Sequence, residues 1–280
     1  MKKFWSLFFC FWPILAIVVC WISPDRQWWF PNDNAPPRTP IGERIDGLFY
    51  MILVITTVVF IGTQIALGYV LLRGAQKKDG PALFTHGSHS LEVIWTIAPA
   101  GVLLFVALYQ LDVWADFRIT SNYSQQARSH PIAEVTARQF EWRIRYPSPD
   151  RTFPGGEADV KYWLRNPQPD DLYTVNDLHV PTGRQIVFHL RSADVQHSFF
   201  VPELRVKQDA VPGLIIPVKF EVPIGDQYEL LCAELCGWGH YKMKARVWAQ
   251  PEEDYRAYLQ QLKKEQFFDG IADEPQDSAE

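Results

Sequence analysis

Cysteine, methionine and histidine are scarce in this chain, which has four, three and seven of them among 280 residues. Two of the cysteines, Cys10 and Cys20, lie in an apolar N-terminal run, and neither follows a small residue, which argues against a lipoprotein processing site. The sequence has no Cys-x-x-Cys-His motif, so we expect no attached c-type haem. The other two cysteines, Cys232 and Cys236, stand together near the end of the predicted folded part.

Basic residues are also in the minority, with 27 Lys and Arg against 32 Asp and Glu, for a net charge of −5. Residues 1–111 contain eight bases and six acids, so the chain from residue 112 onward holds 19 bases and 26 acids, a net charge of −7. Such an acidic part argues against a nucleic-acid partner and suits a basic protein partner. An acidic surface that is merely solvated would explain the same charge.

Long apolar runs fill the first part of the chain. The first run lies behind two lysines, and residues 1–23 are either a signal peptide or an N-terminal membrane segment. Two further runs, at 47–72 and 91–111, are each long enough to cross a bilayer, which takes about 20 residues. They predict a transmembrane helical hairpin over residues 45–111. The proline-rich residues 24–44 are predicted to be an irregular connector.

The orientation of the hairpin follows from the basic residues Arg73, Lys77 and Lys78 on its short loop. Basic loops are retained in the cytoplasm, so the loop is predicted to be cytoplasmic. Both outer ends of the hairpin then face the other side of the membrane. The chain after residue 112 is therefore predicted to be extracytoplasmic. The membrane itself is expected to be a bacterial inner or cell membrane.

Short β-rich runs separated by proline and glycine make up the part after the hairpin. Residues 132–146 and 172–180 are predicted strands, and strands at this spacing predict an antiparallel sandwich over residues 112–250. Residues 251–280 are predicted to contain a C-terminal helix that begins at Pro251, because proline and then acidic residues suit a helix start. The acidic end of that segment is predicted to be disordered. The fold class is thus an α+β membrane protein.

The residues with the most specific chemistry lie in the sequence Cys-Ala-Glu-Leu-Cys-Gly-Trp-Gly-His-Tyr-Lys-Met, which runs from Cys232 through Cys236 and His240 to Met243. A second imidazole, His197, lies on an earlier predicted strand. Thiolate, imidazole and thioether donors together favour copper, and a weak Met ligand beside Cys and His is typical of electron-transfer copper sites. Two thiolates can bridge two copper ions, which leaves one histidine for each ion.

Other interpretations of this motif remain open on the residues alone. Cys232 and Cys236 would form a disulfide readily in an oxidising compartment. Two cysteines and two histidines would also make a structural zinc site. The zinc interpretation gives no role to Met243 or to Glu234.

The motif Cys-x-Glu-x-Cys-x3-His-x2-Met resembles the CuA ligand loop of subunit II of cytochrome c oxidase. The sequence from Asp194 to Phe199 resembles the first-ligand strand of that family, and the sequence from Leu91 to Pro99 resembles the start of its second membrane helix. The resemblance covers roughly residues 40–250. It implies a transmembrane hairpin that carries a cupredoxin-like domain.

The resemblance also implies roles for individual residues. Side chains of five residues would bind the dinuclear copper centre: His197, Cys232, Cys236, His240 and Met243. Glu234 would bind copper through its backbone carbonyl, and its carboxylate would reach a magnesium ion at the boundary with the haem–copper catalytic subunit I. Electrons would come from cytochrome c and pass to haem in subunit I, where oxygen reduction is coupled to proton translocation.

Two further roles rest on the same resemblance. The family often has Gln-Trp-x-Trp where this chain has Gln-Phe-Glu-Trp, so Phe140 and Trp142 are the predicted aromatic residues for electron uptake. Glu92 is predicted to take up protons from the cytoplasm, although a carboxylate at a membrane boundary is often simply solvated. Independently of the resemblance to individual motifs, the acidic charge of the domain predicts electrostatic docking of a basic cytochrome c. Four acids are candidates for this docking: Asp170, Asp171, Asp177 and Asp194.

Two rival functions are compatible with the sequence. One is the CuA-bearing electron-accepting subunit of a nitric oxide reductase, which would use the same copper module. The other is a membrane-anchored copper-delivery protein. The membrane hairpin and Glu92 argue against copper delivery, because a copper chaperone needs only a tether.

Overall fold

The computed structural model describes residues 2–23, 26, 39–76, 84, 86–223 and 225–268. Most of the predicted connector, Lys77 and Lys78 of the basic loop, and the predicted acidic tail lie outside the described residues. The chain divides into two compact units, one with the three long helices and one with the β domain.

Three helices in the described part of the chain are long and apolar enough to cross a membrane. They are α1 (Lys2–Ile22), α2 (Pro40–Gln76) and α3 (His89–Tyr109). Both interpretations of residues 1–23 require an apolar helix, and α1 is one. It packs on α2 at Gly68, whose carbonyl accepts a hydrogen bond from the Ser6 hydroxyl at 2.9 Å.

Helix α2 begins earlier than the hydropathy pattern predicts. The Thr39 hydroxyl accepts a hydrogen bond from the backbone N–H of Gly42 at 3.0 Å, which caps the helix, and Pro40 occupies its first position. Capping is independent of hydropathy, so the last part of the predicted connector, residues 40–44, is helical instead of irregular.

The β domain is a sandwich of two five-stranded sheets. One sheet has the order β3-β2-β1-β5-β8 and the other β4-β10-β9-β6-β7. The strands are β1 (Ala133–Arg138), β2 (Glu141–Tyr146), β3 (Leu172–Val175), β4 (Asp177–Pro181), β5 (Gln185–Ser192), β6 (His197–Val201), β7 (Val206–Ala210), β8 (Ile216–Glu221), β9 (Gln227–Cys232) and β10 (Lys244–Gln250). The predicted sandwich is confirmed, with parallel pairing of β1 with β5 and of β10 with β4.

Two of the predicted strands are each divided into two. Residues 132–146 form the hairpin of β1 and β2, which turns at Gln139 and Phe140, and residues 172–180 divide into β3 and β4 at Asn176. Asn176 has a φ of 58° and accepts a hydrogen bond from Trp142 N–H at 2.8 Å through its side chain. Asparagine tolerates this backbone region better than most residues. The alternating pattern continues across both turns and therefore conceals them.

Four further α-helices lie in the part of the chain that the structure describes: α4 (Leu111–Arg118), α5 (Gln125–Ser129), α6 (Glu157–Arg165) and α7 (Glu252–Phe268). The C-terminal helix matches the predicted one, and its Tyr255 and Leu259 join the core of the sandwich. Helix α6 was not predicted. It buries Trp163 against Phe153 at a ring separation of 6.0 Å.

A buried ionic cluster joins α6 to the first sheet. Arg145 on β2 is 7% exposed and pairs with Glu134 and, at 2.7 Å, with Asp171. Its guanidinium also lies 4.1 Å from the ring centroid of Trp163. Trp163 in turn donates its indole N–H to Asp171 at 2.8 Å.

Arg145→Met should destabilise the β domain by about 3–5 kcal/mol, because it removes the one buried cation between two buried carboxylates. As cationic partners in the described residues, Glu134 then keeps only the half-exposed Arg191 at 3.2 Å, and Asp171 keeps only Arg151 at 3.8 Å. The matched control is Arg143→Met, since Arg143 pairs with Glu141 while more than half exposed and should contribute less than about 1 kcal/mol. Urea unfolding followed by tryptophan fluorescence measures both. Equal effects of the two substitutions would contradict the role of the buried cluster.

Candidate metal centre

The two strands that hold the candidate ligands lie side by side in the second sheet. Strand β6 begins at His197, strand β9 ends at Cys232, and Phe199 faces Cys232 in their antiparallel pairing. The N–H of Ala233 donates to the carbonyl of Ser198 at 3.0 Å and extends this pairing. The strand-borne histidine therefore meets the cysteine loop, although 35 residues separate His197 from Cys232.

The loop after β9 folds back on itself before β10. Its two ends are joined by a hydrogen bond of 3.2 Å from the N–H of Cys232 to the carbonyl of Met243. Between them, residues 240–242 form one turn of 3-10 helix. This closure brings the late histidine and methionine next to the two thiols.

The two thiols lie at the centre of the group, with their sulfur atoms 3.9 Å apart. Each sulfur has its own imidazole: Nδ1 of His197 lies 3.9 Å from the sulfur of Cys232, and Nδ1 of His240 lies 3.6 Å from the sulfur of Cys236. His197 and both cysteines place one donor atom each within 4.8 Å of one another. The arrangement has two nearly equivalent halves, each with one imidazole.

Two further donors lie at the outer ends of this group. The sulfur of Met243 is 3.9 Å from that of Cys236, and the carbonyl oxygen of Glu234 is 3.3 Å from the sulfur of Cys232. Met243 is 1% exposed. The structure thus brings together all six residues that the sequence singled out as metal ligands.

A hydrogen-bonded layer orients the group from behind. Asp194 accepts a hydrogen bond from Nε2 of His197 at 2.8 Å, which directs Nδ1 toward the sulfur of Cys232. The same carboxylate accepts a 2.7 Å bond from the N–H of Gln139. The side chain of Gln139 donates to the carbonyl of Cys236 at 2.5 Å. Sequence reasoning missed Gln139 and treated Asp194 only as a docking acid.

The electrostatics of the pair favour a thiolate at Cys232. Burial alone would raise the pKa of Cys232, but hydrogen bonds with His197 and with the backbone of Ser198 lower it overall. Burial and the neighbouring charge of Cys232 together raise the pKa of Cys236. The pKa of His197 is raised: burial opposes this, and the hydrogen bonds with Cys232 and Asp194 outweigh burial. One negative charge is thus already stabilised between the two halves.

This donor set fits a copper centre. Sulfur, imidazole and thioether donors are the soft ligands that copper prefers. A metal–thiolate bond is about 2.3 Å long, so an ion can bind both sulfurs at their observed separation of 3.9 Å. A disulfide bond needs sulfurs about 2.05 Å apart, and both cysteines are free in the structure. A four-ligand zinc site would leave Met243 and the Glu234 carbonyl unused.

The two predicted aromatic residues differ in position. Trp142 is fully buried, with its ring centroid 6.4 Å from that of His197, so it cannot contact a protein partner directly. Phe140 is half-buried, and its ring meets the edge of Trp238 at 5.1 Å. Trp238 is 79% exposed. Sequence reasoning gave Trp238 no role, although the residue lies inside the ligand motif.

The four candidate docking acids are not equivalent either. Asp171 is buried in the ionic cluster with Arg145, so it is unsuitable for docking, and the expectation for this residue is wrong. Asp194 is engaged with His197. Asp170 pairs with Arg151, and Asp177 pairs with His179 at 3.2 Å. Of these four acids, Asp171 and Asp194 thus serve partners inside the domain, and Asp170 and Asp177 stay partly exposed.

Glu92 lies in the first turn of α3 and is exposed. The helix begins after Ser88, whose carbonyl accepts a 3.0 Å hydrogen bond from the N–H of Glu92. The carboxylate turns back toward Gly87: a Cβ atom added to this glycine would lie 2.7 Å from Oε1 of Glu92. A side chain at residue 87 would therefore displace the Glu92 carboxylate.

The fold and this donor set define a protein with three helices able to cross a membrane and a β-sandwich that carries a candidate metal centre, built from two cysteines, two histidines and a methionine. Sequence models of two domains match it: the transmembrane domain of cytochrome c oxidase subunit II at residues 31–113, and the periplasmic domain of the same subunit at residues 135–249. The chain belongs to the cytochrome c oxidase subunit II family.

Two relatives aligned by sequence agree with this assignment. The alternative cytochrome c oxidase subunit 2 of Bradyrhizobium diazoefficiens is 32% identical over 251 residues, which cover 84% of each chain. Cytochrome c oxidase subunit 2 of Synechocystis sp. is 27% identical and covers 86% of this chain and 79% of its own. Among solved structures, the periplasmic domain of subunit II of cytochrome oxidase from Bradyrhizobium japonicum is similar, with 21% identity and a TM-score of 0.39 over 48% of this chain and 93% of that one.

Asp194→Asn should weaken copper binding by roughly 10- to 100-fold, because the loss of a carboxylate behind a histidine ligand frees its ring orientation and lowers its basicity. Competition with a chelator of known affinity measures the change. Asp170→Asn is the matched control, since Asp170 pairs with Arg151 on the surface of the same domain. Unchanged copper affinity in Asp194→Asn would show that the hydrogen bond to His197 is dispensable.

Proposed function

We propose that this chain accepts electrons from cytochrome c at a dinuclear copper centre and passes them to haem in the catalytic subunit of a cytochrome c oxidase. As a member of the subunit II family, the chain is a component of an oxidoreductase complex, and the family implies a CuA centre. We further propose that the complex lies in a bacterial cell membrane, because the named relatives are bacterial. The oxygen chemistry would then take place in another subunit.

The observation that carries this proposal is the pair of thiols 3.9 Å apart, each beside its own imidazole. The donor set divides into two halves that share the sulfurs of Cys232 and Cys236. Around these sulfurs stand two imidazoles, of His197 and His240, and two weaker donors, the Glu234 carbonyl and the Met243 thioether. A single-metal site has no need for this duplication. The six residues are therefore proposed as ligands of two copper ions.

The protein's contribution would be to hold these donors still. When bound, a dinuclear copper centre stores and releases one electron at a time. His197 is 0% exposed and Met243 is 1% exposed, so these two donors are shielded from water, whereas Cys232 and His240 are half-buried. Strand β6 holds His197, strand β9 holds Cys232, and the hydrogen bond from Cys232 to Met243 closes the loop, so a change of charge should move the ligands little. Small ligand movement favours fast electron transfer.

Glu234 has a second proposed role. Its carbonyl lies at the centre, 3.3 Å from the sulfur of Cys232, while its side chain is only half-buried. A carboxylate is a suitable ligand for magnesium, which prefers oxygen donors. We propose that this carboxylate binds magnesium at the boundary with the catalytic subunit, so that one residue links the copper ligands to that subunit.

The two rival functions are weaker on specific grounds. A copper-delivery protein must release its ion, whereas buried ligands such as His197 and Met243 oppose release. The electron-accepting subunit of a nitric oxide reductase would use the same ligand set, so the copper site does not separate it from an oxidase. The relatives are named as cytochrome c oxidase subunits, which favours the oxidase.

The full chain, purified with its complex, should contain two copper ions in this subunit and should have the purple mixed-valence absorption of a dinuclear centre. Metal analysis and optical spectroscopy measure this. Cys236→Ser should abolish the purple absorption, because one bridging thiolate is lost, while Cys10→Ser should retain it. One copper ion, zinc alone or a Cys232–Cys236 disulfide in copper-replete cells would refute the proposed centre.

Glu92→Gln should slow steady-state oxygen consumption while rapid-mixing reduction of the copper centre stays normal. The reason is that a neutral amide cannot take up the protons that accompany oxygen reduction. Glu43→Gln is the control, since Glu43 is an exposed acid in the first turn of α2. Normal turnover in Glu92→Gln would show that Glu92 is only a solvated carboxylate at the membrane boundary and takes no part in proton uptake. Consumption of nitric oxide instead of oxygen by the wild-type complex would favour the reductase.

A further inference from the structure

Three large exposed side chains stand between the proposed copper ligands. Leu235 is 79% exposed, Trp238 is 79% exposed and Tyr241 is 67% exposed. Single exposed apolar residues are ordinary on a protein surface. Three within seven residues, interleaved with Cys236 and His240, form a patch of the kind that marks a binding surface. We call Leu235, Trp238 and Tyr241 the loop patch.

The backbone at Gly237 and Gly239, on either side of Trp238, keeps the Trp238 side chain exposed. Gly237 has a φ of 137°, a conformation that L side chains rarely adopt. A Cβ atom added to Gly239 would lie 2.5 Å from Cδ2 of Phe140, which leaves no room for a side chain there. The loop therefore turns tightly on both sides of Trp238, and the ring of Phe140 fills the space beneath the two glycines.

Phe140 supports the exposed indole from below. The two rings meet edge to face with centroids 5.1 Å apart, an arrangement that aromatic pairs prefer. On the other side, the ammonium of Lys242 lies 5.9 Å from the centroid of Trp238 and 5.5 Å from that of Tyr241. Trp238 is thus held between two neighbours while most of its surface stays free.

We propose that Trp238 is the residue through which electrons enter this chain, and that the loop patch is the contact surface for a small electron-carrying protein with an apolar face around its redox group. This proposal rests on the proposed electron-accepting function. Trp238 is two residues from Cys236 and two from His240, whereas Trp142 is fully buried and Phe140 lies beneath the indole. Among the aromatic rings next to the proposed ligands in the described residues, Trp238 is therefore the most exposed, at 79% against 67% for Tyr241.

The character of the partner follows from the charges on the loop. Lys242 is the only Lys, Arg, Asp or Glu among residues 235–243, so the contact is mainly apolar. Tryptophan and tyrosine are the side chains that most often dominate the energy of such contacts. The partner's contact face should therefore be apolar at its centre and should accept one hydrogen bond or ion pair from Lys242.

Rapid mixing of reduced cytochrome c with the assembled complex tests the proposal. Trp238→Leu should slow reduction of the copper centre by roughly tenfold or more, with the purple spectrum unchanged. Tyr162→Leu is the matched control, because Tyr162 is an aromatic residue on helix α6 of the same domain with 65% exposure, and it should react at the wild-type rate. Phe140→Leu should give an intermediate rate, since it removes only the support beneath the indole.

Each outcome has a defined meaning. A wild-type rate in Trp238→Leu would overturn the proposal, and a larger loss in Phe140→Leu than in Trp238→Leu would assign electron uptake to Phe140. If Trp238→Leu loses copper, Trp238→Gln repeats the test with a polar side chain suited to an exposed position. If cytochrome c fails to reduce the wild-type complex while a small chemical reductant succeeds, the proposed function fails. If cytochrome c reduces the wild-type complex normally, the proposed function stands. The relative rates of Trp238→Leu and Phe140→Leu then test only the role of the loop patch.

Discussion

The short antiparallel pairing between β6 and β9 is the constraint on which the rest of the site depends. It aligns Phe199 with Cys232, and so brings His197 to a cysteine that follows 35 residues later. The two strands hold the loop at its first end, and the hydrogen bond from Cys232 to Met243 holds it at its second. A shift of this pairing by one residue would turn His197 to the opposite face of the sheet. The donor set exists only in the observed register.

Hydrogen bonds from residues behind the donor group fix the orientation of the donors that this register brings together. Asp194 connects the ring of His197 to the backbone of Gln139, and the side chain of Gln139 connects onward to the carbonyl of Cys236. The turn between β1 and β2 is thus tied to both halves of the centre, although it contributes no proposed ligand. Phe140, in the same turn, packs under the glycines of the ligand loop. One hairpin turn therefore positions the loop from beneath and from the side.

The sequence predicted those parts of the structure in which a residue type has one main structural or chemical role. Thiols, imidazoles and a thioether at fixed spacing indicated the donor group, and long apolar runs indicated the membrane helices. The hairpin turn at Gln139 and the break at Asn176 were not predicted, because alternation of apolar residues continues through both. Helix α6 has only three buried residues, Val160, Trp163 and Leu164, and its short amphipathic pattern is easily taken for loop. Charge was the poorest guide, since Asp171 and Asp194 serve partners inside the domain.

Long-range attraction of a partner and its close contact with the protein would depend on different residues around the candidate metal centre. The part of the chain after residue 112 is acidic as a whole, and such a net charge acts over distances of about a Debye length. The loop patch consists of three large side chains with mainly apolar surface, and one cation, Lys242, lies beside it. Long-range attraction and short-range contact therefore draw on different residues. A partner attracted by the acidic domain would bind closely only if its own contact face were apolar. The loop patch would thus select which donors reach the proposed copper ligands.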